Sequence, residues 1–92
     1  MANQAEFFRA LGSRIRTLRK RHGYSQEDMI SFGFSARHWQ QVEAGRPITV
    51  RTLLRICEVF DTPTERLVRG LDKLAHHAAQ RETPTRDKPR NG

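Results

Sequence analysis

The sequence predicts a small all-α domain of five helices joined by tight turns. Three observations predict it. No segment alternates apolar and polar residues as a half-buried strand does. Apolar residues recur instead at three- and four-residue spacing in block after block. Asparagine, serine or threonine stands before these blocks, and glycine closes most of them.

Asn3 and Glu6 have capping-box spacing and open a first helix from about Gln4 to His22. Phe7, Phe8, Leu11, Ile15 and Leu18 form its apolar stripe, while Arg9, Arg16 and Lys20 take the opposite side. Gly12 costs such a helix about 1 kcal/mol and marks a bend or a later start; Gly23 stops it. Ser25 caps a second helix, about Gln26 to Phe32, whose first turn holds Glu27 and Asp28 where the helix dipole favours negative charge. Gly33 makes the turn, Ser35 caps a third helix from Ala36 to Glu43, and Gly45 ends it. Thr49 caps a fourth helix, Val50 to Phe60, with Val50, Leu53, Leu54, Cys57 and Phe60 as its buried stripe. Thr62-Pro-Thr-Glu65 is a helix start signal, and a fifth helix runs to about Leu71, with spacing that allows continuation to Gln80. Residues 1–80 are expected to form one domain. Residues 81–92, with two prolines and no large apolar side chain, are expected to be a disordered basic tail.

The net charge is +7, and it is not confined to the tail: residues 1–80 hold thirteen Lys or Arg against eight Asp or Glu. A compact basic domain points to an anionic partner, nucleic acid first among them. No apolar run approaches the roughly 20 residues of a membrane span, and the N-terminus lacks the apolar block of a signal peptide. A single cysteine, Cys57, cannot form an internal disulfide and suits a reducing cytoplasm.

The third helix carries the most chemistry. At about 100° per residue, Trp39 and Val42 point one way, joined by Phe34. Arg37 and Gln41 face nearly opposite, with Gln40 beside them and Ala36 on the flank. Arginine pairs with guanine N7 and O6, and glutamine with adenine N6 and N7, at the edges displayed in the DNA major groove. A helix entering that groove must hold to its own protein on one side and offer donors on the other. An ordinary solvated face would carry the same residue types, so the polarity alone does not decide.

Five segments in order decide it: Leu11-Gly-Ser-Arg-Ile-Arg-Thr-Leu-Arg19, Gly23-Tyr-Ser-Gln26, Gly33-Phe-Ser35, Val42-Glu-Ala-Gly45 and Thr52-Leu-Leu54. Residues 11–71 resemble the helix-turn-helix domain of the phage lambda repressor and Cro family. The resemblance implies a five-helix fold and a sequence-specific regulator, a repressor, that binds double-stranded DNA as a homodimer on an inverted repeat. It places Ala36, Arg37 and Gln41 at base-reading positions, with Ala36 against a thymine methyl. Gln26 grips the phosphate backbone in that pattern, and Gln40, Arg46 and Thr49 suit further phosphate contacts. Arg19 and Glu43 match a structural ion pair between the first helix and the end of the third. Val59, Leu67, Leu71 and Leu74 are candidates for the dimer surface, although the leucines could instead close the monomer's core.

Two segments depart from the pattern. The connection from the second to the third helix and the loop after the third are each one residue shorter. Ile30 stands where a small residue usually lets the second helix cross the third, and Trp39 stands where a smaller aliphatic side chain is common.

A second expectation comes from another class: an antitoxin or adaptor of the same fold, binding a toxin or RNA polymerase. No catalytic constellation and no phosphate-cradling glycine loop is present in the sequence, so an enzyme is not expected. His76 and His77 diverge by about 100° on a helix and make poor joint ligands, so neither a metal nor another cofactor is expected. His22 and His38 read as surface or edge residues, and Cys57 as a buried structural thiol.

Overall fold

The computed structural model describes residues 3–72. They form α1 (Gln4–Arg21), α2 (Gln26–Ser31), α3 (Ala36–Glu43), α4 (Val50–Val59) and α5 (Thr64–Val68), with no strand among the described residues. Leu71 and Asp72 are again helical. The expected continuation towards Gln80, Leu74, the His76-His77 pair and the tail 81–92 lie outside the described residues.

The caps act where local chemistry puts them. Asn3 Oδ1 accepts from Glu6 N at 3.1 Å, and Thr49 Oγ1 accepts from Thr52 N at 3.1 Å. Ser25 and Asp28 form a reciprocal capping box, with Asp28 Oδ2 accepting Ser25 N at 2.7 Å. The start of α5 differs from the expected one. Thr62 donates its hydroxyl to Phe60 O instead of capping, Pro63 takes the N-cap position, and no side chain caps the helix. Arg14 serves α5 from the other end: its Nη1 donates to Leu67 O at 3.0 Å and Arg69 O at 2.6 Å, satisfying carbonyls that a short helix leaves open.

α1 packs against α3 and α5, α2 against α3, and α4 against α5. The core between them gathers Leu11 and Ile15 of α1, Met29 of α2, Trp39 and Val42 of α3, and Ile56 and Phe60 from α4 and its cap. Leu67 and Leu71, considered above for a partner surface, are 2% and 1% exposed and complete this core. Val59 is half-buried against it. Two helix faces are also turned relative to the sequence expectation. In α2 the buried residue is Met29, while Ile30 is 48% exposed. In α4 the buried residues are Thr52, Ile56 and Cys57, while Val50 and Leu54 face outward.

Gly12 does not bend or delay α1. It lies in mid-helix, buried, where α1 crosses the end of α3. A Cβ there would sit 2.6 Å from Val42 O and 2.9 Å from Glu43 O. Gly45 makes the reciprocal approach, its missing Cβ falling 2.8 Å from Arg9 Cα. Glycine at both positions brings the two backbones together and fixes where α3 stands on α1.

Candidate nucleic-acid interface

Eight residues of α3 divide as the sequence predicts. Trp39 and Val42 are buried, and Phe34 lies under them. Ala36, Arg37 and Gln40 are exposed, and Gln41 is half-buried. These four share one outward side of the helix. The start of α3 is held by Ser35 Oγ, which accepts His38 N at 3.0 Å. Its end is a Schellman motif, in which Gly45 N donates to Val42 O and Arg46 N donates to Gln41 O. Arg46 therefore leaves α3 in a fixed direction with its side chain exposed.

The end of α3 is anchored by a buried ion pair. Arg19 Nε donates to Glu43 Oε2 at 2.5 Å and Nη2 to Oε1 at 3.2 Å, with the side chains 8% and 5% exposed. Arg19 Nη1 also donates to Tyr24 O at 2.8 Å. Glu43 accepts two further hydrogen bonds, from Trp39 Nε1 at 2.6 Å and Gln26 Nε2 at 3.2 Å. One carboxylate thus ties α1, α2 and α3 together. Burial pushes its pKa up most strongly among the separate influences. The hydrogen bonds from Arg19, Gln26 and Trp39, with the Arg19 charge, together outweigh burial and hold the carboxyl below its ordinary value.

Trp39 shows why a large ring fits where a smaller side chain is common. It reaches the Glu43 carboxylate with its N–H and packs against Phe34 and Phe60, with ring centroids 5.0 and 6.4 Å away. A buried indole needs such a partner for its donor.

The turn between α2 and α3 is held by a residue that sequence reasoning missed. Arg55 of α4 donates from Nη2 to Gly33 O at 3.0 Å, and its guanidinium carbon lies 4.4 Å from the centroid of the Phe34 ring. Gly33 has φ +101, and a Cβ on it would fall 2.9 Å from Arg55 Nη2. The glycine thus makes the short turn and leaves room for its clamp. No local signal marks an arginine 22 positions away as a turn partner.

Gln26 and Thr49, considered above for phosphate contacts, are both exposed and both already have work within the fold. Gln26 uses one amide hydrogen on Glu43, and the Thr49 hydroxyl caps α4 and donates to Thr52 Oγ1 at 3.2 Å. Arg37 and Arg46 make no ion pair among the described residues. No group of three metal-ligating side chains occurs among the described residues. His22 stacks on Tyr24, and His38 packs near Phe34.

A helix-turn-helix domain model matches residues 10–70, well over half of the 92-residue chain. The chain belongs to the helix-turn-helix domain family. No curated protein matches it. The matched span of this helix-turn-helix domain begins inside α1 and ends at Gly70, so it includes the α2–turn–α3 unit, its Arg55 clamp and the Arg19–Glu43 pair. Family membership supports DNA as the partner of the helix-turn-helix domain, and no helix among the described residues is long and apolar enough to cross a membrane.

Proposed function

We propose that this protein is a transcriptional regulator of the lambda repressor and Cro type, which reads double-stranded DNA with α3 in the major groove. One observation carries the reading. A single helix presents Ala36, Arg37, Gln40 and Gln41 on its outward side, while Trp39, Val42 and Glu43 fix its other side to the protein. Arg37 suits guanine N7 and O6, Gln41 suits adenine N6 and N7, and Ala36 suits a thymine methyl. Gln40, Arg46, Gln26 and Thr49 contribute phosphate contacts that set register rather than sequence. The chain acts as a dimeric repressor in the cytoplasm, on an inverted repeat whose half-sites lie about 34–36 Å apart, one turn of DNA.

Selection of bound duplexes from a random library at about 150 mM salt tests this, because nonspecific electrostatic binding weakens steeply with salt. The expected product is an inverted repeat. Arg37→Ala then weakens binding to that repeat by about 1–3 kcal/mol and relaxes the preference at one base pair. A folded protein that enriches no sequence would overturn the DNA-reading assignment.

A further inference from the structure

The outer face of α4 has no partner within the described chain. Val50 is 70% exposed and Leu54 48%, one helical turn apart on the same side. Single exposed apolar residues are ordinary on a soluble protein. These two are set in a pattern. Arg51 and Glu58, both exposed and in no ion pair among the described residues, flank them along one edge. Beyond Leu54 the surface falls into a depression of about 570 Å³, lined by Cys57, Glu58, Asp61 and Pro63.

The spacing of these groups makes the face complementary to itself. Val50 and Cys57 are seven apart and occupy the same position on a helix of two turns per seven residues, and so do Arg51 and Glu58. When two such helices cross antiparallel about a two-fold axis, residues at one flanking position face that same position on the other helix, in reversed order. Arg51 of one copy then meets Glu58 of the other, twice. Leu54 meets Leu54 near the axis. Val50, the most protruding apolar side chain, meets the depression beside Leu54. In a parallel pair the same flanking position falls on opposite sides of the interface, so Arg51 and Glu58 would not meet. A two-fold interface is isologous, so every such match occurs in duplicate.

We propose that this face of α4 is a self-association surface whose occupant is the same face of a second copy, with the two α4 helices antiparallel. It deepens the dimer reading given above and rests on it for its role at an inverted repeat. It also replaces Leu67 and Leu71, which are committed to the core.

Charge reversal on the full chain tests the proposal without DNA. Sedimentation equilibrium is run on the wild type, Arg51→Glu, Glu58→Arg and the double reversal, with thermal melts to show that each variant folds. The wild type is expected to dimerise. Each single reversal is expected to raise the dimer Kd about tenfold or more, and the double reversal to restore it, since the opposed pairs are re-formed with signs exchanged. Leu54→Asp, at an exposed position that the fold does not need, is expected to abolish the dimer. A wild type that stays monomeric throughout the micromolar range overturns the proposal. So does a dimer whose Kd is unmoved by both single reversals, or a folded double reversal no tighter than either single one. A dimer that behaves as expected but selects no DNA sequence sinks the DNA reading alone. A specific DNA binder whose dimer ignores these changes sinks the α4 surface alone.

Discussion

Replacing Arg19 by methionine isolates the buried charge at the end of α3. Methionine keeps the apolar stem along α1 but removes both bonds to Glu43 and the bond to Tyr24 O. Glu43 then remains in an interior site as a charge without its countercharge. Removing one member of a buried pair typically costs about 3–5 kcal/mol. Two neutral donors, Trp39 Nε1 and Gln26 Nε2, still reach the carboxylate, which puts the expected loss at the lower end. About 3 kcal/mol corresponds to a fall in Tm of roughly 12–24 °C for a domain of this size. Urea unfolding followed by the fluorescence of Trp39, the sole tryptophan, measures the loss directly. The pH dependence identifies its cause. In the wild type the Glu43 carboxyl is held below its ordinary value, so its contribution is present above the unfolded pKa and is lost as pH falls through the folded one. Without Arg19 the burial effect is less opposed and the carboxyl moves up. The difference between variant and wild type is therefore greatest near neutral pH and shrinks as acid neutralises Glu43 in both. Arg19→Met/Glu43→Gln, which strands no charge, recovers part of the loss. A cost below about 1 kcal/mol, the range of an exposed pair, or a cost that does not change with pH, refutes the reasoning.

Two further perturbations address how α3 is positioned. Gly12→Ala sets a methyl 2.6 Å from Val42 O, a contact with backbone that cannot swing aside; a loss of at least about 1–3 kcal/mol is expected in urea unfolding, and an unchanged midpoint would show that the helices separate easily. Arg55→Met removes the bond to Gly33 O and the cation over Phe34, together worth about 1–3 kcal/mol, and should shift the amide resonances of Gly33 and Phe34. Arg55→Lys should recover little, because an ammonium lacks the planar fork that reaches the carbonyl while lying on the ring; full recovery would count against that geometry.

What was legible in the sequence was local. Ser35 and Gly45 bracket α3 with short-range chemistry, and the expected bounds Ala36 and Glu43 are the observed ones. Serine accepts a nearby N–H and glycine takes the positive φ of a Schellman turn, whatever the rest of the chain does. Helix faces were less legible where apolar residues surround the helix. Residues 50–60 of α4 and its cap contain Val50, Leu53, Leu54, Ile56, Cys57, Val59 and Phe60. That set supports one stripe through Val50 and Leu54 and another through Ile56 and Phe60. The packing of α4 on α5 and the turn selects the second. In α2 it was the resemblance that put Ile30 at the crossing with α3, whereas Met29 takes the core and Ile30 faces outward. Arg14 and Arg55 were illegible for another reason. An arginine on a polar face looks solvated until the fold brings a carbonyl 53 or 22 residues away within its reach.

These long-range contacts bear on what α3 can do. A helix of eight residues is too short to be stable by itself, since isolated helices below about 12–15 residues are marginal in water. Its exposed row is therefore defined by the frame. At the C-terminal end, Glu43 binds Arg19 and Gln26 while Gly12 lets α1 approach the backbone. At the N-terminal end, Arg55 holds Gly33 and covers Phe34. One clamp acts on Glu43 at the end of α3 and the other on the turn that leads into it, and neither uses Arg37 or Gln41. Bidentate contacts to a base edge need both atoms placed at once, whereas a phosphate contact tolerates displacement. On the DNA reading proposed above, loosening either clamp should therefore erode discrimination between bases before it erodes overall affinity, even though neither clamp lies on the outward row.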